Sequence, residues 1–326
     1  MFPFEYIDAK DFQALSNFLE RDFQKSALLA GGTDLLGLMK EGVIQPRKVI
    51  NIKHIRELEG IRETTEGLEI GAVTRLSDIA EHPLIQEKYS VLAQAVASIA
   101  TPQLRNMGTI GGNICQRPRC WYFRGSGYPC LKKGGDMCYA VEGLNKYHAI
   151  LGGGPCYIVH PSDAAPALVA LNASVEIWSP DGERTLPLET FFQLPEDNLA
   201  RENILQPNEI VTRLYIPRPE QGTRSRYLKF RERQSMDFAL ASVAVVAKIQ
   251  NTVVKHIRIV LGGVAPIPWR VSQAEAVLMN KTLTEERIDR AAESAVKEAD
   301  PLEHNRYKVV LTRNLVSKTL RTFLQA

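Results

Sequence analysis

Two glycine-containing stretches decide the fold of this chain: LLAGGTDLLG at residues 28–37 and TIGGNIC at residues 109–115. The first lies between a predicted strand at residues 26–30 and a predicted short helix at residues 35–40. Glycines at such a junction let backbone N–H groups approach an anion, and the start of the following helix favours negative charge. Two such loops suit the two ends of one dinucleotide, although two unrelated tight turns are the alternative. The first loop has neither the Lys-Ser/Thr of a Walker motif nor the spacing of G-x-G-x-x-G.

The composition is that of a globular protein of about two domains, since 44% of the 326 residues are hydrophobic and 24% are charged. The net charge of +3 gives no argument for nucleic acid or a membrane surface as a partner. The longest apolar stretch, residues 238–247, is far shorter than the ~20 residues that span a bilayer, so no membrane insertion is predicted. No secretory signal is recognised at the first residues, so a cytoplasmic location is the default expectation.

The five cysteines all fall between Cys115 and Cys156. An odd number excludes complete disulfide pairing, and the clustering favours a local metal or cluster site. There is no C-x-x-C pair, and nine, seven and seventeen residues separate the last four: Cys120, Cys130, Cys138 and Cys156. Four thiolates are able to hold an iron–sulfur cubane or a zinc ion, and four buried or free cysteines are the alternative. Basic residues nearby either offset the negative charge of a cluster or form a solvated basic face: Arg117, Arg119, Arg124, Lys132 and Lys133.

Hydrophobic periodicity predicts alternating strands and helices in the first two thirds of the chain. The predicted helices are at residues 11–23, 91–100 and 163–171, with one more that starts at a Thr74 or Ser77 cap. The predicted strands are at residues 48–52, 68–72 and 209–216, with a hairpin of residues 174–178 and 184–188. Residues 101–161 lose this periodicity, and a loop of such length inside a compact domain is usually functional.

The last hundred residues follow a different order, in which strands precede helices. The predicted strands are at residues 227–231, 238–249 and 253–261, and the predicted helices are at residues 273–279, 284–298 and 305–324. This order predicts a small α+β domain in which helices cover a three-stranded antiparallel sheet.

Three motifs, in this order, resemble the FAD-binding medium subunit of the xanthine dehydrogenase family of molybdenum hydroxylases: LAGGTD at residues 29–34, RNMGTIGGNIC at residues 105–115 and PSDAA at residues 161–165. The resemblance covers essentially the whole chain and implies an α+β fold. Residues 1–219 are then a two-part FAD-binding domain of the vanillyl-alcohol-oxidase (PCMH) type, with a Cys-rich insert at about residues 115–160. Residues 223–326 are then the C-terminal flavoprotein domain.

The Cys-rich insert limits the resemblance to particular branches of this family. CWYFR at residues 120–124 and YPCLKK at residues 128–133 are similar to two branches whose medium subunit holds an extra [4Fe–4S] cluster, the bacterial aldehyde oxidoreductases and the 4-hydroxybenzoyl-CoA reductases. Residues 138–156 are closer to the aldehyde oxidoreductase branch. The resemblance implies four cluster ligands: Cys120, Cys130, Cys138 and Cys156. Cys115 belongs to an element that members without the insert also have, so it is not assigned as a ligand.

The resemblance also implies residues that contact FAD. The pyrophosphate is expected against Leu28, Leu29, Ala30, Gly31, Gly32, Thr33, Asp34 and Leu35. The flavin side is expected to be lined by Thr109, Gly112 and Asn113. Asp163 is expected at the adenosine half, Ile210 on the isoalloxazine, and Lys229 near the ring, where a cation stabilises reduced anionic flavin. The sequence by itself favours a solvent-exposed strand lysine at position 229.

Together these implications describe an oxidoreductase subunit that transfers electrons and binds non-covalent FAD and one [4Fe–4S] cluster. The implied partners are a large subunit with a molybdenum cofactor, which oxidises an aldehyde or a heteroaromatic compound, and a small subunit with two [2Fe–2S] clusters. An external acceptor of unknown identity then takes the electrons. Because the cofactors carry the redox chemistry, no catalytic acid or base is assigned.

Two alternative functions follow from the same residues. One is a subunit of an enzyme similar to 4-hydroxybenzoyl-CoA reductase, into which electrons flow from a ferredoxin. The other is a structural zinc-binding module. The location changes to the periplasm if a partner subunit carries an export signal.

Overall fold

A computed structural model describes residues 1–324 of the protein. A small parallel sheet forms the N-terminal part. The sheet has the order β1-β3-β2 and consists of β1 (Glu5–Asp8), β2 (Ser26–Leu29) and β3 (Lys48–Asn51). Two short helices follow the first two strands, α1 (Phe12–Ser16) and α2 (Leu35–Lys40). The helix predicted at residues 11–23 is therefore much shorter, since Phe18 and Leu19 pack against the core from a non-helical segment.

The second sheet is antiparallel and has five strands in the order β4-β5-β8-β6-β7. The strands are β4 (Ile61–Glu63), β5 (Gly67–Gly71), β6 (Ser174–Ser179), β7 (Gly182–Pro187) and β8 (Ile210–Pro217). The helices of this part are α3 (Leu76–Glu81), α4 (Pro83–Lys88), α5 (Ser90–Ala97), α6 (Pro102–Arg105), α7 (Ile110–Ile114), α8 (Trp121–Arg124) and α9 (Ala164–Ala170). Neither predicted residue caps α3, because the Thr74 hydroxyl accepts the N–H of Gly60 at 2.9 Å and no side chain caps that helix.

The third sheet is antiparallel and has four strands, one more than predicted, in the order β12-β11-β10-β9. The strands are β9 (Thr223–Phe230), β10 (Ala241–Gln250), β11 (Val253–Gly262) and β12 (Trp269–Arg270), and the helices are α10 (Ser272–Leu278), α11 (Glu285–Ser294) and α12 (Tyr307–Arg321). The two residues of β12 are too few to show an alternating pattern, so the sequence did not reveal this strand.

The buried helices α5 and α9 pack between the second and third sheets. Their core contains Val96 of α5 and Leu168 of α9 together with Leu214 of β8 and Val246 of β10. A second core lies between the third sheet and helices α10 to α12. This packing places the first turn of α9 next to β9.

The segment predicted to be irregular, residues 101–161, contains only α6, α7, α8 and a single 3₁₀ turn (Leu131–Lys133). It contains the second glycine loop, leads to the first turn of α9 and carries all five cysteines. Across residues 1–324 we find no helix with the length and apolar character needed to cross a membrane.

Candidate functional site

Both glycine loops line one cleft, which we call the glycine-loop cleft. Most residues predicted to contact FAD line it: Leu28, Ala30, Gly31, Gly32, Thr33, Asp34, Leu35, Thr109, Gly112 and Ile210. The prediction missed other lining residues, among them Ala72, Gly111, Gln116, Arg117 and Arg201. Gly111, Gln116 and Arg117 adjoin the TIGGNIC motif, so their position next to it was a usable signal. Arg201 had no such signal, and its guanidinium lies 3.6 Å from the ring centroid of Phe23.

The two loops meet through their backbones at Gly31. A Cβ at this position would lie 2.0 Å from the carbonyl oxygen of Met107 and 2.9 Å from the Cα of Gly108. Only glycine permits such an approach, because any side chain would push the loops apart. The adjacent Gly32 has a φ of +72°, the left-handed conformation that favours glycine. The glycines are therefore required for the packing and the backbone conformation of the loops themselves.

The first loop also presents free donors to the cleft. Within residues 1–324, the backbone N–H groups of Gly32, Thr33 and Asp34 have no hydrogen-bond acceptor. Successive N–H groups of this kind, at a site without obstructing side chains, form a binding site for an anion such as a pyrophosphate. The residues present therefore fit the pyrophosphate of FAD.

Asp34 lines the cleft, but its carboxylate is engaged with the protein. It accepts the backbone N–H of Arg117 at 2.8 Å and the guanidinium of Arg124 at 2.6 Å, and it also pairs with Arg119. Burial alone would raise the pKa of this carboxyl, but the Arg119 and Arg124 cations outweigh burial and lower the pKa below its usual range. Asp34 therefore connects the first glycine loop to the Cys-rich insert.

Asp163 and Lys229 form a buried ion pair outside the cleft. Lys229 Nζ lies 2.7 Å from Asp163 Oδ2, and the two side chains are only 4% and 5% exposed. The expectation of a solvent-exposed lysine at position 229 is therefore wrong. The Ser162 hydroxyl, not Asp163, accepts the Ala165 N–H in the first turn of α9, so the Asp163 carboxylate is free to pair with Lys229. Asp163 also accepts a hydrogen bond from the Tyr227 hydroxyl at 2.7 Å.

The Asp163 carboxylate lies at a second cavity of about 400 Å³, between the insert and the loop that follows β9. We call it the Asp163 cavity, and its lining includes Ser162, Arg119, Cys120, His148 and Phe238. The Ser162 hydroxyl donates to Asn113 Oδ1 at 2.5 Å, so a hydrogen bond joins this cavity wall to the second glycine loop. Leu29 lies in β2, where its side chain packs beneath Gly32.

The four cysteines assigned as ligands line one small cavity, the cysteine cavity, with mainly aromatic and apolar neighbours. A hydrogen bond from Cys156 lowers the pKa of Cys138 to about 6 and raises that of Cys156. Burial raises the pKa of Cys120 to about 11, and His148 Nε2 lies 3.2 Å from its sulfur. No three His, Cys, Asp or Glu side chains of residues 1–324 are arranged around a single-ion site. The donor chemistry, four thiols on one cavity, fits a cluster.

Cys115 lies apart from that set. It lines the glycine-loop cleft, and burial raises the pKa of its thiol to about 12. Its position outside the cysteine cavity separates Cys115 from the four cysteines assigned as ligands.

The basic residues near the cysteines are buried or half-buried, and each has a partner in the protein. Arg119 and Arg124 pair with Asp34, whereas Arg117 and Lys132 both pair with Glu202, at 2.8 and 2.7 Å. Lys133 donates to the carbonyl of Gly125 at 2.5 Å. Burial alone would raise the pKa of Glu202, but the two cations outweigh burial and lower the pKa. The prediction missed Glu202 because no motif surrounds it.

Comparison with known proteins identifies the family to which this fold belongs. Residues 2–219 match the sequence model of the FAD binding domain in molybdopterin dehydrogenase, and residues 226–325 match that of the CO dehydrogenase flavoprotein C-terminal domain. The aldehyde oxidoreductase FAD-binding subunit PaoB of Escherichia coli (strain K12) is 36% identical over 296 residues, which cover 90% of this chain and 89% of that protein. The carbon monoxide dehydrogenase medium chain of Hydrogenophaga pseudoflava is 32% identical over 322 residues, which cover 97% of this chain and 96% of that chain.

A solved structure supports the same relationship. Carbon monoxide dehydrogenase from Hydrogenophaga pseudoflava, in a form that lacks the Mo-pyranopterin moiety, matches with a TM-score of 0.76 and 30% identity over 98% of both chains. These matches define the class of protein, a flavoprotein subunit of an oxidoreductase. The chain belongs to the family of FAD-binding medium subunits of the xanthine dehydrogenase and carbon monoxide dehydrogenase type. The expected family, fold class and FAD cofactor are thereby confirmed, apart from the fourth strand of the last sheet.

Proposed function

We propose that this chain is the electron-transfer subunit of a molybdenum-containing aldehyde oxidoreductase. The observation that carries the proposal is the convergence of two glycine loops on one cleft with unpaired N–H donors. The similarity to an aldehyde oxidoreductase FAD-binding subunit supports an aldehyde as the substrate class. In this proposal a large molybdenum subunit oxidises the substrate, and a small subunit with two [2Fe–2S] clusters passes the electrons to this chain.

The residues of this chain bind and orient the cofactor. The N–H groups of Gly32 and Thr33 bind the pyrophosphate of FAD in the glycine-loop cleft, and the buried pair of Asp163 and Lys229 holds a fixed charge arrangement at the Asp163 cavity. When bound, FAD exchanges electrons between the iron–sulfur subunit and an external acceptor. The protein contributes position, shape and electrostatics to that exchange.

We further propose that Cys120, Cys130, Cys138 and Cys156 hold a [4Fe–4S] cluster. Support comes from their common cavity, which places four thiols where a cluster could take them as ligands. Each of the four single Cys→Ser variants should lower the iron content of the purified chain. The matched control is Cys115→Ser, which should retain about four irons per chain. Iron loss in the control with retention in one of the four would overturn the ligand assignment.

The whole proposal is tested with the complex purified together with its partner subunits. Excess aldehyde, added in the absence of oxygen, should bleach the flavin absorbance. Flavin that stays oxidised with an aldehyde but bleaches with a reduced ferredoxin would instead indicate the inward electron flow of a CoA-ester reductase. A colourless chain that contains zinc would leave only the structural module.

A further inference from the structure

Glu202, Lys132 and Arg117 form a buried ion triad between the cysteine cavity and the glycine-loop cleft. Glu202 accepts Lys132 Nζ at 2.7 Å and pairs with the guanidinium of Arg117 at 2.8 Å. The side chains of Lys132 and Glu202 are only 1% and 3% exposed. Solvent therefore screens this triad weakly, and its charges act strongly on their surroundings.

The two cations of the triad belong to different sites. Lys132 lines the cysteine cavity, and Arg117 lines the glycine-loop cleft. Both also hold the backbone next to Glu202, since Lys132 donates to the carbonyl of Leu199 at 2.8 Å and Arg117 donates to the carbonyl of Ala200 at 2.7 Å. The triad thus attaches the insert to residues 199–202, a segment whose Arg201 lines the glycine-loop cleft.

The other cations of the insert do not have this bridging position. Arg119 and Arg124 are paired with Asp34 on the first glycine loop. Removal of the Glu202 carboxylate would leave two buried cations, one at each site, whereas removal of Lys132 would lower the net charge of the triad from +1 to 0. Charge changes on the two residues should therefore act in opposite directions.

We infer that Glu202 is a positioning residue that holds Lys132 toward the cysteine cavity and Arg117 toward the glycine-loop cleft. In this way Glu202 sets the reduction potentials of the cluster and of FAD. This inference rests on the proposed function. A cation favours the more negative, reduced form of a nearby centre, and the carboxylate limits that effect. One buried carboxylate, that of Glu202, thus adjusts the reduction potentials in the insert and in the glycine-loop cleft.

The experiment is a redox titration of the purified holoprotein, with the cluster followed by electron paramagnetic resonance and FAD by absorbance. Glu202→Gln should raise the cluster potential, and Lys132→Met should lower it. Each change should alter the equilibrium constant for reduction at least tenfold, which is about 59 mV for a one-electron couple. The double variant should return to within about twofold of the wild-type constant, because the charge balance is restored. Shifts of the same sign in both single variants would indicate a merely structural role and would overturn the inference.

A matched control is Glu275→Gln. Glu275 is 6% exposed and pairs with Arg270 at 2.8 Å, but it lies on α10 and lines neither cofactor site. This variant should leave both potentials unchanged. If Glu202→Gln does not fold, Glu202→Asp is compared with Lys132→Met. Glu202→Asp keeps the charge and should keep the wild-type cluster potential, whereas Lys132→Met should lower that potential. Wild-type protein without iron or flavin would refute the proposed function, whereas loaded protein with unchanged potentials in the variants would refute this inference alone.

Discussion

Replacement of Lys229 by methionine is the most informative single change outside the glycine loops. The substitution keeps the length of the side chain and removes its charge. Asp163 then stays buried with the Tyr227 hydroxyl as its hydrogen-bond donor and without a cation. Lys229 also donates to the carbonyl of Ser98 at 3.2 Å, and this contact is lost as well.

The expected cost is large because both partners are almost fully buried. Removal of one partner from a buried ion pair typically lowers the free energy of unfolding by about 3–5 kcal/mol, whereas removal of an exposed lysine changes it by about 0.5 kcal/mol. At about 2–4 °C per kcal/mol, the melting temperature should fall by roughly 6–20 °C. The paired change Lys229→Met with Asp163→Asn should recover part of this loss, because no unpaired charge is then buried.

The assay is thermal and urea unfolding followed by circular dichroism. The matched control is Lys248→Met on the neighbouring strand β10, where the lysine pairs with the exposed Glu220 at the surface and should cost less than about 1 kcal/mol. A loss below about 1 kcal/mol, equal to that of the control, would refute the argument from burial.

Three further predictions concern the glycine loops and a buried histidine. Gly31→Ala should weaken FAD binding at least tenfold in a fluorescence titration, because its Cβ would displace the carbonyl of Met107, whereas Gly127→Ala, with no atom within 4 Å of the added Cβ, should bind as wild type. Gly32→Val should abolish FAD binding while the circular dichroism spectrum is retained, and a variant that purifies with full FAD would disprove the role of this loop. Burial lowers the pKa of His160 to about 4, so the unfolded chain takes up a proton near pH 6.5 that the folded chain does not bind. His160 should therefore lower the free energy of unfolding by about 1.6 kcal/mol from pH 6.5 to pH 5 in urea titrations. His160→Gln should remove that share and leave the similar share of His148, whose pKa burial also lowers to about 4.

The sequence by itself determined the features that depend on local chemistry. The Gly-Gly-Thr motif lies between a strand and a short helix, as its local pattern indicated, whereas the Thr-Ile-Gly-Gly motif begins the short helix α7, which the sequence did not predict. The alternating and helical periodicities located most strands and helices, because these patterns report which face of an element is buried. The clustering of the cysteines in one insert also indicated a local site, because neighbours in sequence stay close in a loop.

The tertiary structure decided which charged groups meet. Lys229 and Asp163 are 66 residues apart, and Asp34 and Arg119 are 85 residues apart. Nothing in the local pattern around Lys229 showed that β9 packs beside the first turn of α9, so an exposed strand lysine was the better prediction from sequence. The same holds for Glu202, whose two cations lie in the insert, and for β12, which is too short to show a period. A side chain's partner and exposure depend on how distant elements pack, and a single sequence carries no direct signal of that packing.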